Sequence, residues 1–221
     1  MQKQEIKLLV FDWDGTLADS EQFIVNAMQA AIEQLDLDMR TRDEIRNIIG
    51  LGLMEAADVL FPGLNQIEHE RLADSYRKHY SSSAKGKTAL FPDVIDTLYK
   101  LKEQDYKLAI ATGKSRKGLD NSLQDTGIRS FFHTTRCADE TFSKPHPRML
   151  MEIMDHLLIE PENTLMIGDS EYDLLMAKNA SVAPVAVSYG TQTRERLLEH
   201  KPLTCLDNLN ELPDWLAYYI D

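Results

Sequence analysis

Short apolar runs alternate along this chain with longer stretches in which apolar positions recur every three or four residues. The runs predict strands over residues 6–11, 107–111, 131–135, 164–167 and 183–187, with a short sixth piece at 204–206. The periodic stretches predict helices over residues 94–104, 118–126, 147–158 and 173–180. Strands that alternate with helices in this way pack as a parallel sheet covered on both faces, each helix serving as a right-handed crossover.

One interval breaks the rhythm. Residues 19–85 carry helical periodicity and no convincing strand. Phe23, Ile24, Ala27, Met28, Ala31, Ile32 and Leu35 form one apolar stripe, behind Asp19 and Ser20 as candidate caps. That stripe is core material, not a cofactor box. Further helices are expected over 43–49, 54–60 and 66–80, and the polar tract 81–87 reads as a linker back to the sheet. The organisation is therefore an α/β core, residues 1–18 and 86–221, with a small all-helical domain, residues 19–85, inserted after the first strand.

Composition narrows the partners. The 221 residues include 24 Lys+Arg against 36 Asp+Glu, a formal net charge of −12, with 43% hydrophobic residues. There is apolar material for a sizeable core, and no basic face on which a nucleic-acid backbone would lie. A small anion remains a possible ligand if a few cations converge locally. No apolar run approaches the ~20 residues a bilayer span needs. The four-residue run Leu8-Leu9-Val10-Phe11 behind the polar start is too short for a signal-peptide core. Cys137 and Cys205 are far apart and make no CxxC pattern, and the six His show no metal-ligand spacing, so zinc is not expected. These features suit a cytoplasmic protein.

In an open parallel sheet, ligands gather at the carboxyl ends of the strands. Polar residues end three of the predicted runs: Asp12 and Asp14 the first, Thr112 and Gly113 the second, Asp169 the fourth. Asp12, Asp169 and a main-chain carbonyl could hold a hard cation such as Mg²⁺, which favours few carboxylates plus water and substrate phosphate. A calcium loop starting at Asp12 fails on spacing, with Leu17 where Gly is needed and Phe23 where Glu is needed. A solvated acidic turn is the remaining plain reading. Trp13 either packs against the base of the insert or touches substrate, and His146 reads as a turn residue between prolines.

The segment Asp12-Trp13-Asp14-Gly15-Thr16-Leu17-Ala18-Asp19-Ser20 resembles the first motif of the haloacid dehalogenase superfamily, whose phosphatases carry DxDGT near the N-terminus. Thr112-Gly113-Lys114 resembles the second motif, Lys144-Pro145 the third, and Gly168-Asp169-Ser170-Glu171-Tyr172-Asp173 the fourth, in the family order. The resemblance implies a Rossmann-like core, with the helical insert as the family's mobile cap. It further implies that Asp12 is the nucleophile that takes the phosphoryl group and that Asp14 is general acid and then base. Thr112 and the Gly113 amide would hold phosphoryl oxygens, with Lys144 neutralising their charge. Mg²⁺ would be bound by Asp12, Asp169 and the carbonyl of Asp14, and Asp173 would orient metal-bound water or Lys144.

The cap is where such phosphatases read their substrate. Residues 21–77 contain no lysine, which disfavours the Schiff-base chemistry of phosphonate-cleaving relatives, and Asp14 speaks against dehalogenation. The run Arg46-Asn47-Ile48-Ile49-Gly50-Leu51-Gly52-Leu53 resembles the cap segment of phosphoglycolate phosphatases. With Arg40, Arg42 and Arg46 flanking a small loop at Gly50, it could admit a compact phosphorylated acid; the alternative reading takes these arginines as solvated surface charges. The expectation is a Mg²⁺-dependent phosphomonoesterase acting on a small phosphorylated metabolite, as a monomer or homodimer. A sugar-phosphate phosphomutase and a catalytically inactive phosphometabolite-binding protein are the rivals. One departure stands out: Phe91-Pro92-Asp93 has Asp where relatives commonly have glycine after the proline.

Overall fold

The computed structural model describes residues 5–84 and 88–220. β1 (Leu8–Phe11) is four apolar residues buried on both sides, as the centre of a parallel sheet requires. It is followed by α1 (Glu21–Gln34), α2 (Arg42–Arg46), α3 (Leu53–Leu60), α4 (Gln66–Ala84) and α5 (Val94–Glu103). The chain then alternates: β2 (Lys107–Thr112), α6 (Arg116–Thr126), β3 (Thr134–Cys137), α7 (Arg148–Leu157), β4 (Thr164–Gly168), α8 (Glu171–Asn179), β5 (Ala183–Val187), α9 (Arg194–Glu199), β6 (Cys205–Leu206) and α10 (Leu212–Ile220). The six strands form one parallel sheet in the order β3-β2-β1-β4-β5-β6. This is the α/β, Rossmann-like architecture expected from the alternation.

Side chains alternate across each strand and divide the core into two layers. Leu9 and Phe11 join Ile110, Ile167 and Val187 beneath α5, α6 and α10. Leu8 and Val10 face the other way, with Ala109, Ala111 and Met166, beneath α7 and α8. Helices α1 to α3 and the first part of α4 bury an apolar cluster of their own, including Ile24, Met28, Ile32, Ile45, Ala57 and Leu72. The chain leaves the sheet and returns to it side by side. The Asp19 N–H donates to the Ala89 carbonyl and the Phe91 N–H to the Leu17 carbonyl, each at 3.0 Å, around an antiparallel bridge between Ala18 and Leu90. No helix among the described residues is long and apolar enough to cross a membrane.

Several local expectations need correction. Residues Ser81, Ser82 and Ser83 are not linker but the last turn of α4. Their hydroxyls donate back to the carbonyls of Lys78 and His79 at 2.8–3.1 Å, so the polar side chains are satisfied within the helix. The rest of the expected linker, Lys85 to Lys87, lies outside the described residues, as do Met1 to Gln4. The third strand starts at Thr134, because residues Arg129–Phe131 form a 3-10 turn that sinks Phe131 into the core. Helices α9 and α10 went unforeseen, the first being only six residues long. Helix α2 is shorter than the expected 43–49, starting at a capping box between Thr41 and Glu44.

Candidate active site

Strand order decides which residues meet. From β1 the sheet grows through β2 and β3 on one flank and through β4, β5 and β6 on the other, so its switch point lies between β1 and β4. Phe11 is in register with Ile167, and the Asp12 N–H donates to the Ile167 carbonyl at 3.0 Å. Asp12 and Asp169 therefore leave neighbouring strand ends together, although 157 positions apart in sequence. The loop after β1 curls tightly, with the N–H groups of Leu17 and Ala18 both donating to the Trp13 carbonyl, at 3.0 and 2.8 Å. Gly15 turns this loop with φ +87°, and a Cβ there would collide with the Asp169 carboxylate.

Three carboxylates and one ammonium are buried together. Asp12, Asp169 and Asp173 offer oxygens that all lie within 4.8 Å of one another. Lys144 is 1% exposed, and its Nζ sits 2.6 Å from Asp12 Oδ1 and 2.6 Å from Asp173 Oδ1. The other Asp173 oxygen accepts from the Ser170 hydroxyl at 2.6 Å and the Ser170 N–H at 3.1 Å, in a capping box that opens α8. Asp169 Oδ1 accepts from the Thr16 hydroxyl at 2.7 Å; its Oδ2 accepts from the Thr191 N–H at 2.8 Å and the Thr191 hydroxyl at 2.6 Å. Asp12 Oδ1 also accepts from the Trp13 N–H at 2.6 Å, whereas the buried Asp12 Oδ2 has no hydrogen-bond partner among the described residues.

The charges do not balance. Among the described residues, one ammonium stands with three buried carboxylates and leaves two negative charges uncompensated, a costly state for a buried site. Burial, reinforced by Asp173, holds the Asp12 carboxyl well above the usual range despite Lys144 beside it. Burial and Asp173 likewise push Asp169 up to about 6, against the opposing hydrogen bonds from Thr191 and Thr16. Hard oxygen donors, an orphaned buried carboxylate oxygen and surplus negative charge together fit a divalent cation.

Asp14 lies beside this cluster and is also buried. Its Oδ1 accepts from the Ser20 hydroxyl at 2.6 Å and from Lys114 Nζ at 2.8 Å, and its Oδ2 from Lys114 Nζ at 3.0 Å. Ser20 does occupy the N-cap position of α1, as expected, but its hydroxyl makes no capping bond and serves Asp14 instead. Thr112 ends β2, 1% exposed, and its hydroxyl accepts from the Lys114 N–H at 3.2 Å. Gly113 lies directly beneath the Gly50 and Leu51 carbonyls, where a Cβ would collide with both. The Gly52 N–H donates to the Ser143 hydroxyl at 2.7 Å, next to Lys144. The loop around Gly50 thus rests on the strand ends.

The three candidate arginines are all engaged within the protein. Arg40 stacks on Phe61 at 4.3 Å and donates to the Leu60 carbonyl, and Arg42 donates to Gln22. Arg46 makes two long contacts, 3.3 Å to Glu21 and 3.4 Å to the Gly190 carbonyl. Trp13 is fully buried in the sheet core, and exposed His146 stacks on Phe142 at 4.4 Å. Sequence reasoning gave Ser20 only a capping role, carried Thr16, Lys114 and Ser170 inside motifs without a role of their own, and did not single out Thr191. Thr191 stands one residue beyond the Gly190 that closes the β5 run, so reading past that strand end was the available signal.

The model of the haloacid dehalogenase-like hydrolase family matches residues 9–187. The chain is 34% identical over 213 residues to the probable phosphatase IndB of Dickeya dadantii, covering 93% of this chain and 91% of that one. It is 31% identical over 226 residues to a phosphoglycolate phosphatase of Vibrio vulnificus, covering 97% of each. The solved structure of a haloacid dehalogenase-like family hydrolase from Streptococcus pneumoniae superposes with a TM-score of 0.83 at 26% identity, covering 97% of this chain and 98% of that one. With the motif residues gathered at one sheet edge and the match running through both the sheet and the insert, this chain belongs to the haloacid dehalogenase-like hydrolases, as a phosphatase of that family.

Proposed function

We propose that this phosphatase hydrolyses a small phosphomonoester in the cytoplasm, in two steps through an aspartyl-phosphate on Asp12, with Mg²⁺ as cofactor. The observation that carries this reading is the unpartnered, buried Oδ2 of Asp12 inside a cluster with surplus negative charge. The Trp13 N–H and Lys144 fix the other oxygen, so the carboxylate cannot rotate away. Asp12 and Asp169, with the Asp14 carbonyl, would hold the ion. Bound there, it would neutralise charge on the phosphoryl group and on the carboxylates facing it.

The remaining work falls to side chains. Asp12 attacks phosphorus as Asp14 protonates the leaving oxygen; Asp14 then takes a proton from the water that cleaves the acyl phosphate. Thr112 and the Gly113 N–H cradle phosphoryl oxygens, and Lys144, aligned by Asp173, neutralises them. Hydrolysis of such esters can require accelerations up to ~10²¹-fold, of which acid–base catalysis supplies only ~10²–10⁴. Charge neutralisation and positioning must supply the rest. That demand accounts for a site this buried.

Residues 19–85 serve as the cap and residues 1–18 and 86–221 as the catalytic core, with the paired strands around Ala18 and Leu90 as the natural hinge. A compact phosphorylated acid of the phosphoglycolate type is the favoured substrate, supported by the relative that carries that name. Arg46 is the cap group suited to read it: its Nε is buried without a hydrogen bond, and its two contacts are long enough to be exchanged for a carboxylate. Protein supplied with Mg²⁺ should release phosphate from such a monoester. It should fall silent with a chelator or as Asp12→Asn, and discriminate less sharply between esters as Arg46→Ala. Turnover by Asp12→Asn would overturn the nucleophile assignment. Isomerised sugar phosphate without stoichiometric free phosphate would make the protein a mutase, and inactivity across a broad metabolite panel would make it a binding protein.

A further inference from the structure

Lys114 has no part in the chemistry described so far, yet it is one of the most constrained cations in the molecule. It follows Gly113 at the end of β2, its side chain is 8% exposed, and it forms an ion pair with Asp14. An ammonium has three N–H donors. Nζ has three acceptors within reach: Asp14 Oδ1 at 2.8 Å, Asp14 Oδ2 at 3.0 Å and the Tyr80 hydroxyl at 3.2 Å. The ammonium also lies 4.8 Å from the centre of the Tyr80 ring, and Tyr80 stacks on Tyr76 at 5.7 Å. Both tyrosines belong to α4, the last helix of the insert. Ser20, at the start of α1, donates its hydroxyl to Asp14 Oδ1 as well.

With all three donors spent, Lys114 has no hydrogen left for a phosphoryl oxygen. Its bonds to both Asp14 oxygens fix the plane of that carboxylate, and an acid acts efficiently only when its proton is aimed at the leaving atom. We propose that Lys114 is a positioning residue that aims the Asp14 carboxyl, and that Tyr80 of the insert completes its grip, so that the acid–base arm is fully formed only with the insert seated on the core. The proposal rests on the acid–base role of Asp14 given above. It adds a residue from the loop after β2 and one from α4 to the set that governs leaving-group departure.

Phenyl phosphate and 4-nitrophenyl phosphate test this directly, since they are nearly the same shape and differ in how much their leaving groups need a proton. Lys114→Met should lower kcat/KM for phenyl phosphate by ~10- to 100-fold and for 4-nitrophenyl phosphate several-fold less, with KM little changed. Tyr80→Phe keeps the ring and removes one hydroxyl; it should show the same inequality in weaker form, with an unaltered melting temperature. Equal losses on both esters would assign Lys114 a merely structural role, a rise in KM alone would assign it to substrate binding, and wild-type behaviour would also overturn the proposal. Asp14→Asn separates the two layers. If it turns over both esters normally, the acid–base reading itself fails; if it shows the leaving-group inequality while Lys114→Met does not, only the positioning role is lost.

Discussion

Thr191 grips Asp169 Oδ2 twice, with its backbone N–H at 2.8 Å and its hydroxyl at 2.6 Å. Thr191 is itself 2% exposed, so this is a built support and not a surface contact. Groups that orient a metal ligand typically matter 10- to 100-fold, roughly, in metal affinity or activity. Thr191→Val keeps the shape and the backbone bond but deletes the hydroxyl. The Mg²⁺ concentration for half-maximal phosphatase activity should then rise about 10-fold, with secondary structure unchanged by circular dichroism. An unchanged Mg²⁺ requirement would show that the backbone bond alone orients Asp169.

The crowded carboxylates also set a pH dependence for the metal-free protein. Burial pushes Asp169 up to about 6 from an ordinary 3.8, and Asp12 is displaced the same way. A carboxyl with a raised pKa in the folded state binds protons better folded than unfolded. Its contribution is therefore most favourable below about 4 and is lost as pH rises through about 6. In chelator, the melting temperature of the wild type relative to Asp169→Asn should fall between pH 4 and pH 7, by the equivalent of roughly 1–3 kcal/mol. Mg²⁺ should restore it most strongly at neutral pH. A wild-type advantage that grows with pH in chelator would refute this electrostatic account.

The strand ends were legible because their signals are local: four apolar residues and then Asp12, or Thr164 to Ile167 followed by Gly168-Asp169, state a buried strand and its polar exit within a few positions. A parallel sheet with its strand ends at one edge followed from the alternation, whereas the pairing of β1 with β4 that joins Asp12 to Asp169 came from the structure. What stayed hidden was partnership across long separations. Nothing near Thr191 or Lys114 in sequence announces that one holds Asp169 and the other Asp14, since both contacts depend on how far each strand-end loop curls back. Ser81 to Ser83 were misread for the opposite reason. Their composition is that of a linker, and it does not show that their hydroxyls are satisfied within a helix by the Lys78 and His79 carbonyls, one turn earlier.

Gly113 gives a steric test of how closely the insert must sit. A Cβ at this position would overlap the carbonyls of Gly50 and Leu51, which are backbone atoms and cannot swing aside like a flexible side chain. Gly113→Ala should therefore force the Gly50 loop away from the strand ends while leaving the sheet intact. About a 10- to 100-fold loss in kcat/KM is expected from displacement on the ångström scale, with a melting temperature within a few degrees of wild type. Full activity in this variant would mean that turnover does not require the loop in its observed position.

Asp93 stands where the family resemblance led us to expect glycine, and its backbone explains that expectation. The residue caps α5 in the left-handed region at φ 62°, ψ 1°, which glycine enters freely and other residues enter at a cost of roughly 1–2 kcal/mol, less for Asp and Asn. Part of that cost is offset by the exposed hydrogen bond from Asn210 Nδ2 to Asp93 Oδ2 at 2.8 Å, which ties the start of α5 to the 3-10 turn Leu209–Glu211. Asp93→Gly removes the strain and this bond together, and adds some freedom to the unfolded chain. The strain is the larger of these effects, so the variant should gain about 0.5 kcal/mol in unfolding free energy by urea titration. Asn210→Ala, which removes only the bond, should lose a similar amount. A destabilised Asp93→Gly would reverse this ranking and show that the Asn210 contact outweighs the left-handed backbone.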